Sequence, residues 1–304
     1  MKISFVATVF NEEKTIGALL DSIFRQTKMP DEIVIVDGGS TDATKSVISN
    51  KNVKVIVKKG NRSVGRNEAI RNASGDIIAC SDAGCILDKD WIKNIVKHFK
   101  NSKVDVVAGY YKGLAKSIFQ KCLIPYVLVM PDKANAKNFL PAARSMAFRK
   151  SIWKKVGGFP EEFSSNEDYV FAQKLKKNRA KIVFNKDAIV YWVPRGNIKE
   201  TFIMFFRFAL GDAEARIFRP KVLLLFVRYT FGTILLTYFL VFKSYLILDT
   251  LYLIIFLYLL WAVFKNYRYI KHPMAFLYLP LLQAVSDVAV ILGTLSGIVR
   301  YFKL

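Results

Sequence analysis

The sequence predicts an α/β domain with a doubly wound, mostly parallel sheet, followed by an amphipathic helix and about three transmembrane helices. Along residues 1–110, short apolar runs alternate with segments of helical periodicity, which is typical of parallel strands joined by helical crossovers. Beyond residue 220, apolar residues form three stretches of about 20 residues each, the length of a helix that crosses a bilayer. Hydrophobic residues make up 53% of a chain that also carries 46 Lys and Arg, so they must be concentrated in such stretches.

The N-terminal elements follow from this patterning. Ile3–Val9 is a continuous apolar run, as a strand buried on both faces requires. The other predicted strands are residues 32–37, 53–57, 77–80 and 104–108, and the predicted helices are residues 15–26, 41–49, 64–72 and 91–100. In such sheets the functional site lies at the carboxyl ends of the strands, so the residues that follow each strand are the candidates.

The segment before the first apolar stretch, residues 198–218, has a different character. Its apolar residues recur at helical spacing, and basic residues cover the remaining face. This pattern predicts an amphipathic helix in the membrane interface, with an ordinary packing helix of the soluble domain as the alternative. Residues 118–130 form a further apolar stretch that is too short to span and is a candidate for membrane contact.

The predicted domains are residues 1–196, an amphipathic segment at 197–220 and a membrane domain at 221–304, with spans at about 222–242, 245–264 and 274–299. Soluble, buried helices of this length are a much weaker explanation for three such stretches. Arg228, Asp249 and Asp287 lie inside the spans, where a charge is costly. Each is expected to line a cavity, to reach the surface or to pair, and Arg228 with Asp287 is one such pair.

The basic loop at residues 265–271 predicts the orientation. Only Lys243 lies in the other link, so the positive-inside rule places this loop in the cytoplasm. With three spans, the N-terminal domain of this multi-pass cell-membrane protein is then cytoplasmic too. Arg300 and Lys303 in the C-terminal tail argue mildly against that orientation.

The formal net charge of +22 suits a polyanionic partner, such as nucleic acid, anionic lipid headgroups or a phosphate-bearing substrate. Surface solvation by lysine is the plainer explanation. Nucleic acid is disfavoured, because the aromatic residues concentrate in the membrane part instead of alternating with basic residues. Cys80, Cys85 and Cys122 form no CxxC pair, which indicates neither a zinc site nor a disulfide framework. The N-terminus lacks the features of a signal peptide.

Acids and glycines accumulate where the predicted strands end. Asp37 ends its strand where a carboxylate can accept from a base or a ribose, the Gly38-Gly39 pair permits a tight turn, and Ser40 or Thr41 can cap the next helix. Asp82 is a rigidly placed carboxylate that suits Mg²⁺ or Mn²⁺, with diphosphate oxygens completing the shell. GxGxxG and Walker lysine motifs do not occur in the sequence, which disfavours a dinucleotide oxidoreductase and a P-loop nucleotidase.

Several motifs occur in a fixed order over two-thirds of the chain. They are Thr8-Val9-Phe10-Asn11-Glu12-Glu13, Asp37-Gly38-Gly39-Ser40-Thr41-Asp42, Gly65-Arg66-Asn67, Ser74-Gly75-Asp76, Ser81-Asp82-Ala83-Gly84, Ala147-Phe148-Arg149 with Gly157-Gly158-Phe159, and Asn166-Glu167-Asp168. With these motifs, residues 3 to about 192 resemble the family 2 inverting glycosyltransferases, which have the GT-A fold.

The resemblance implies a nucleoside diphosphate sugar as donor, with UDP favoured and GDP as the other choice. It implies that Asp37 contacts the donor base, that Asp82 occupies the metal-ligating DxD position for Mg²⁺ or Mn²⁺, and that Asp168 is the catalytic base. The expected donor-binding residues are Thr8, Phe10, Asn11, Glu12, Asp37, Gly39, Ser40, Arg66, Asn67, Ser81 and Asp82, and the expected catalytic residues are Asp168 and Glu167. One departure is Gly84, which stands where the second acid of the triplet is expected, so one carboxylate must serve.

An acceptor hydroxyl needs a base within hydrogen-bond reach. Asp168 is expected to begin a helix capped by Asn166, where backbone N–H groups favour its ionised form. Glu167 is expected to face the donor or the solvent. Arg66, and more weakly Arg62, is expected to add positive charge near the diphosphate.

The expected function is transfer of a sugar to a lipid-borne acceptor: a polyprenyl-linked glycan, a polyprenyl phosphate or a glycolipid. A polyprenyl phosphate is already ionised and needs no base, so Asp168 slightly favours a hydroxyl acceptor. A processive polysaccharide synthase is disfavoured, because no QxxRW-like segment follows Trp192. The alternatives are a catalytically inactive GT-A-like membrane assembly protein and a metal-dependent nucleotidyltransferase. Arg144, Ser145 and residues 118–138 are candidates for the acceptor pocket.

Overall fold

The computed structural model describes residues 1–49, 51–163 and 165–301. These residues divide into two compact units. We call them the sheet unit, formed by Met1–Leu114 and Leu128–Val193, and the helical unit, formed by Ala115–Val127 and the residues from Pro194 onward. The predicted 1–196 segment therefore contributes residues to both units.

The strands are β1 Ile3–Val9, β2 Glu32–Asp37, β3 Lys54–Val57, β4 Ile77–Cys80, β5 Cys85–Leu87, β6 Val106–Gly113, β7 Met146–Arg149 and β8 Ile182–Trp192. The α-helices are α1 Ile16–Phe24, α2 Thr44–Ser49, α3 Arg62–Asn72, α4 Trp91–Val96, α5 Ile118–Val127, α6 Lys150–Lys155, α7 Glu167–Lys177, α8 Ile198–Glu214, α9 Pro220–Phe242, α10 Tyr245–Ile270 and α11 Ala275–Tyr301. Short 3₁₀ helices lie at Lys97–Lys100 and Pro131–Lys133.

The described strands form one mixed sheet in the order β3-β2-β1-β4-β7-β6-β8-β5. The first four strands in this order are parallel, and β6 is parallel to β8. Strand β7 is antiparallel to both of its neighbours, and β5 is antiparallel to β8. The α/β class with a mostly parallel sheet is therefore confirmed. Because Val9 pairs with Asp37 at the ends of β1 and β2, the loops that follow these strands lie side by side.

Apolar residues cover both faces of the sheet. Alternate residues of a strand point to opposite faces, so Phe5 packs on one side with α1 and α4, and Val6 packs on the other with α3, α6 and α7. The Phe5 ring meets Trp91 edge-on at 6.2 Å, and Phe159 stacks on Phe171 at 4.1 Å. Each such ring contributes roughly 1.5–3 kcal/mol by burial, which makes the strand ends a rigid frame for the site.

Helix α2 begins later than predicted. The Asp42 carboxylate accepts hydrogen bonds from the N–H and hydroxyl of Thr44, at 3.0 and 2.5 Å, so it holds the helix start at that residue. The prediction that Ser40 or Thr41 caps the helix is wrong, because the Ser40 hydroxyl instead accepts from the Asn11 N–H at 2.9 Å. The residues between β2 and α2 are thereby left to form a loop.

In the helical unit, three described helices are long and apolar enough to cross a membrane: Pro220–Phe242, Tyr245–Ile270 and Ala275–Arg300. Helix α10 continues through most of the predicted basic loop, so only residues 271–274 link it to α11. Of the two tail cations, Arg300 forms an ion pair with Glu214 at 3.4 Å, and Lys303 lies outside the described residues.

Asp287 pairs with Arg228, as one of the sequence alternatives predicted. The side chain of Asp287 is 6% exposed and lies 2.8 Å from the Arg228 guanidinium. The same carboxylate oxygen accepts from the hydroxyls of Tyr229 and Tyr258, and the other oxygen accepts from the Gln283 amide at 2.9 Å. One carboxylate thus ties α9, α10 and α11 together. Asp249 is exposed.

Helix α8 packs along α11. A Cβ added at Gly293 would lie 2.4 Å from the carbonyl oxygen of Phe206, and one added at Gly297 would lie 2.6 Å from that of Leu210. Small residues at this spacing let two helix backbones approach closely. The apolar face of this segment is thus used partly against a second helix, while Ile203 and Phe208 stay exposed.

Helix α5 also packs in the helical unit. The Tyr126 hydroxyl donates to the Leu279 carbonyl of α11 at 2.8 Å, and Phe119 meets Tyr278 edge-on at 5.6 Å. The apolar stretch that begins at residue 118 therefore covers the apolar helices α10 and α11.

Candidate active site

The loops after β1 and β2 are bonded to each other. Asn11 adopts a left-handed backbone conformation (φ 54°), which asparagine tolerates better than most residues. Its N–H donates to the Ser40 hydroxyl at 2.9 Å, and its side-chain oxygen accepts from the Thr41 N–H at 2.9 Å. Asn11 and Ser40 therefore hold the two loops against each other, and their role in donor binding stays a prediction.

Glu12 connects these loops to the starts of α1 and α2. Its N–H donates to the Thr44 hydroxyl at 2.7 Å, and its carboxylate accepts from the Thr15 hydroxyl at the start of α1. The Glu12 carboxylate thus braces its own helix, and this placement gives no support to the expectation that it contacts a donor.

The two carboxylate oxygens of Asp37 differ, because one accepts hydrogen bonds and the other accepts none from the described residues. It is fully buried, and its Oδ1 accepts from the N–H groups of Gly39 and Ser40 at 2.7 and 2.6 Å. Gly39 has φ +96°, a conformation that strains other residues. Within the described residues, Asp37 Oδ2 has no hydrogen-bond partner. An unsatisfied buried acceptor costs about 1–3 kcal/mol, so a ligand N–H is the natural partner.

Phe10 directly follows β1 and Thr8 lies within it. The Phe10 ring is 59% exposed, and a Cβ added at Gly38 would lie 3.5 Å from it, so an exposed aromatic face stands beside the Asp37 turn. Such a face can stack on a planar ring. Thr8 packs against Gly65, where a Cβ would come within 2.1 Å of its hydroxyl, so Thr8 sets how closely α3 approaches the strand.

Arg66 joins three elements of the sheet unit. Its side chain is 4% exposed, and its guanidinium binds Glu167 of α7 through one nitrogen and Asp82, after β4, through another at 2.8 Å. Burial opposes its charge, but Glu167 and then Asp82 outweigh burial and raise the pKa of Arg66. The guanidinium is therefore a permanent cation at the strand ends.

Asp82 remains accessible beside this cation. Its side chain is 40% exposed, and although burial alone would raise the pKa of Asp82, Arg66, Arg144 and Arg62 lower it. Its ionised carboxylate fits Mg²⁺ or Mn²⁺, which prefer oxygen ligands and accept the rest from a substrate and water. Among the residues that the structure describes, no group of three His, Cys, Asp or Glu side chains is arranged to hold a metal ion, so this carboxylate would be the principal protein ligand.

Asp168 lies at the start of α7 and is more basic than expected. Burial and then the neighbouring charge of Glu167 raise the pKa of Asp168 despite Arg66. The predicted cap is wrong: Asn166 has φ 57° and makes no side-chain cap bond to α7 in the described part of the chain. Helix-start stabilisation is therefore outweighed by burial and by like charge. One Asp168 oxygen accepts from the Ala143 N–H at 3.2 Å.

Glu167 is buried, with 4% of its surface exposed, and its carboxylate binds Arg66. The expectation that it faces the solvent is therefore wrong, and the alternative that it faces the donor stays a prediction. A buried carboxylate needs a partner for its charge, and the Arg66 guanidinium is that partner. Its contacts assign it to positioning Arg66 and to adjusting Asp168.

Asn67 and Ser81 are used structurally. The Asn67 amide donates to the Phe159 carbonyl at 2.8 Å and to Glu161 at 2.7 Å, and its oxygen accepts from Trp153 and from the Phe159 N–H. Ser81 is 2% exposed and donates to the Arg144 carbonyl. The Asn67 amide therefore has no capacity left for a donor, and the burial of Ser81 gives no support to the expectation that it contacts one.

Two aromatic rings were missed by the sequence reasoning. Arg144 lies over the rings of Tyr111 and Trp192, at 5.1 and 5.6 Å. These contacts fix the Arg144 guanidinium near Asp82, whose pKa it helps to lower. The signal in the sequence was an aromatic residue at the carboxyl end of each of two strands, β6 and β8. Ser145 is buried and bonded to Trp91 and Ala188, so it does not line an open pocket.

Two family models match the chain: glycosyl transferase family 2 over residues 4–121 and glycosyl transferase family group 2 over residues 77–282. The O-antigen chain rhamnosyltransferase RfbN of Salmonella typhimurium is 26% identical over 234 residues, covering 68% of this chain and 71% of its own. A dolichyl N-acetyl-alpha-D-glucosaminyl phosphate 3-beta-D-2,3-diacetamido-2,3-dideoxy-beta-D-glucuronosyltransferase of Methanococcus voltae is 26% identical, covering 65% and 68%. Other matched transferases are longer, and the chain spans about a third of their length.

A solved structure of similar fold is mannosyltransferase PcManGT from Pyrobaculum calidifontis in complex with GDP-Man and Mn²⁺. It superposes with a TM-score of 0.68 at 17% identity, covering 98% of this chain and 87% of its own. The second family model alone spans more than half of the chain, and it includes β4, Asp82 and Asp168. The chain therefore belongs to the family 2 glycosyltransferases and is a transferase with the GT-A fold.

Proposed function

We propose that this enzyme is anchored in a membrane and moves a sugar from a nucleoside diphosphate sugar to an acceptor carried on a lipid, with inversion at the anomeric carbon. The observation that carries the proposal is the charge arrangement at the strand ends. Asp37 has an unsatisfied acceptor oxygen, Arg66 is a permanent cation beside the accessible Asp82, and Asp168 is a base of raised pKa.

Asp37 and Phe10 would recognise the nucleotide. The unsatisfied Oδ2 of Asp37 can accept the ring N–H of uracil or guanine, and the exposed Phe10 ring can lie against the base. Matched solved structures hold UDP, UDP-GlcNAc or GDP-Man, which supports a nucleotide-sugar donor. We favour a UDP-sugar, with a GDP-sugar as the other choice.

Asp82 would hold Mg²⁺ or Mn²⁺, and a bound cation supplies positive charge to the departing diphosphate. Arg66 supplies fixed positive charge at the same place, because its guanidinium is already bound to Asp82 and cannot lose its proton. The Mn²⁺ bound by the similar mannosyltransferase supports this assignment.

Asp168 would act as the general base. The acceptor oxygen attacks the anomeric carbon from the face opposite the diphosphate, a C–O bond forms as the bond to the diphosphate breaks, and the acceptor proton passes to Asp168. Raised basicity suits this role, because a carboxylate of ordinary pKa holds a proton weakly near neutral pH.

A lipid-borne acceptor is supported by the three long apolar helices and by the Methanococcus voltae relative, whose name begins with dolichyl N-acetyl-alpha-D-glucosaminyl phosphate, a sugar carried on a lipid. Because Lys265, Arg268 and Lys271 cluster where α10 ends, we place this end, and with it the sheet unit, on the cytoplasmic side of the cell membrane. Nucleotide sugars would reach the site from that side.

Membranes that contain the full chain test the proposal. They are incubated with labelled UDP- and GDP-sugars and Mn²⁺, and label that enters the organic-solvent phase is measured. One donor should deliver label with the wild type, while Asp168→Asn and Asp82→Ala should deliver at least about a hundredfold less. Label that enters the aqueous polymer fraction alone would contradict a lipid acceptor.

A further inference from the structure

We propose that the helical unit contains a binding site for the phosphate monoester or diphosphate group of a lipid, built by Lys121, Lys265, Asn266 and Tyr126. The inference rests on the proposed lipid acceptor and names the group by which that acceptor is held. All four residues lie on α5 or α10, so the site belongs to one unit.

The two segments that build the site are strongly cationic. Residues 115–127 and 250–286 contain five Lys and Arg and neither Asp nor Glu. The cations are Lys116, Lys121, Lys265, Arg268 and Lys271. The acids that border the second segment are Asp249, which is exposed, and Asp287, which is paired with Arg228. The excess of positive charge in the two segments therefore favours an anion.

Neutral groups position the two lysines of the site. The Lys121 ammonium donates to the carbonyl of Ile270, the last residue of α10, at 3.0 Å. The Lys265 ammonium lies 4.5 Å from the centre of the Trp261 ring, 5.3 Å from that of Tyr126 and 3.4 Å from the Gln283 amide oxygen. Carbonyl, amide and ring faces orient an ammonium group without cancelling its charge.

Asn266 points independently to a polar ligand. It is 1% exposed, and in the part of the chain that the structure describes neither its amide nitrogen nor its oxygen makes a hydrogen bond of good geometry. The Tyr126 hydroxyl lies beside the amide but already donates to the Leu279 carbonyl. Amide groups buried without a partner among apolar helices are costly. A phosphate monoester or diphosphate can accept from the amide N–H₂, and its protonated oxygen can donate to the amide oxygen.

The surroundings of the site favour a phosphate carried on a lipid over a free phosphate ion. Trp261 is 46% exposed and Phe264 is 69% exposed, so an apolar surface adjoins Lys265 on the preceding turns of α10. Long cationic side chains at the end of an apolar helix place their charges at headgroup level. One ligand with an anionic head and an apolar chain would match both features.

Binding of farnesyl phosphate to the full-length protein in phosphatidylcholine nanodiscs tests the site, with no nucleotide sugar present. Tryptophan fluorescence reports binding, and Trp261→Phe identifies the signal from the site. Farnesyl phosphate should bind saturably, while farnesol, inorganic phosphate and added phosphatidylglycerol should bind at least about tenfold more weakly. Lys121→Gln and Lys265→Gln should each weaken binding about tenfold.

Lys243→Gln is the matched control. Lys243 follows the last residue of α9 and lies over the ring of Phe239. It precedes α10, whereas the proposed site lies where α10 ends. The Lys243→Gln variant should bind like the wild type, and melting curves show whether each variant is folded. If a lysine variant does not fold, Asn266→Asp should weaken binding instead, by placing a negative charge beside the phosphate.

Equal binding of farnesol and farnesyl phosphate, or unchanged binding by the folded lysine variants, would overturn this inference. Equal binding of inorganic phosphate would overturn the lipid assignment. Sugar transfer by a protein that fails these tests would leave the proposed function intact, and phosphate-dependent binding without any transfer would overturn the proposed function alone.

Discussion

Arg66 is one buried cation among three carboxylates. It binds Asp82 and Glu167 directly, and the charge of Asp168 also acts on it. The proton affinities of the site are therefore linked: any change in one carboxylate alters how far Arg66 compensates the others. For the proposed base this balance favours the protonated carboxyl group, because burial and Glu167 raise the pKa of Asp168.

The Glu167→Gln variant tests this balance. Removing the negative neighbour lowers the pKa of Asp168, so the base stays ionised at more acidic pH. The acid limb of the kcat/KM profile should therefore move to lower pH. The value of kcat/KM at neutral pH shows how much activity is lost because Arg66 is misplaced. The measurement is the pH profile of transfer for the two proteins, and an acid limb that stays in place or moves to higher pH would contradict the linkage.

The turn between β4 and β5 allows a direct test of the metal assignment. Gly84 stands where a second acid is expected, and a Cβ added there would have no described atom within 4 Å. Gly84→Asp should therefore fit and, by adding a carboxylate beside Asp82, lower the Mn²⁺ concentration for half-maximal donor binding roughly tenfold. Gly84→Asn has the same size without the charge and should leave that concentration unchanged. The same Mn²⁺ concentration for half-maximal donor binding in both variants would contradict a metal site at this turn.

The pairing of α8 with α11 depends on backbone contact. Gly293→Ala puts a Cβ 2.4 Å from the Phe206 carbonyl and should lower the free energy of unfolding by about 1–3 kcal/mol. Gly232→Ala in α9 is the matched control, since no described atom lies within 4 Å of the added Cβ, and it should stay within about 0.5 kcal/mol. Melting in detergent measures both, and equal melting temperatures would mean that α8 does not pack closely on α11.

Elements that are continuous apolar runs could be predicted from the sequence, whereas several elements without such a run could not. The parallel strands β1, β2 and β4 and the spanning helices were placed because each is a continuous apolar run. Strands β5 and β7, of three and four residues, carry too little pattern to be recognised, and both pair antiparallel. The basic residues after position 264 suggested a loop, but tertiary contacts extend α10 through them.

Among the candidate site residues, Asp37 and Asp82 could be placed from sequence because each directly follows an apolar strand. The pairing of Arg66 with Glu167 could not, because 101 residues separate them and only the packing of α3 against α7 brings them together. Asn67 was misassigned for the same reason: its amide is satisfied by the distant segment 153–161.

In the helical unit, the carboxylate of Asp287 in α11 is bonded to residues of both other long helices, α9 and α10. Asp287→Asn should keep the shape but leave Arg228 without a counter-charge, lowering the free energy of unfolding by about 1–4 kcal/mol. Asp249→Asn, at an exposed carboxylate in α10, should change it by less than about 0.5 kcal/mol. Thermal unfolding in detergent compares the two, and similar melting of both variants would show that the Arg228–Asp287 pair does not hold the helices.

We propose that Asp168 of the sheet unit acts as the base in sugar transfer and takes no part in binding the donor. The most direct test of this proposal is the initial rate of sugar transfer by Asp168→Asn at saturating donor, relative to the wild type, with donor affinity measured by calorimetry on the same preparations. The account predicts unchanged donor affinity and a rate lower by roughly 10²–10⁴-fold, the contribution of a general base. Transfer by Asp168→Asn at the wild-type rate would contradict it.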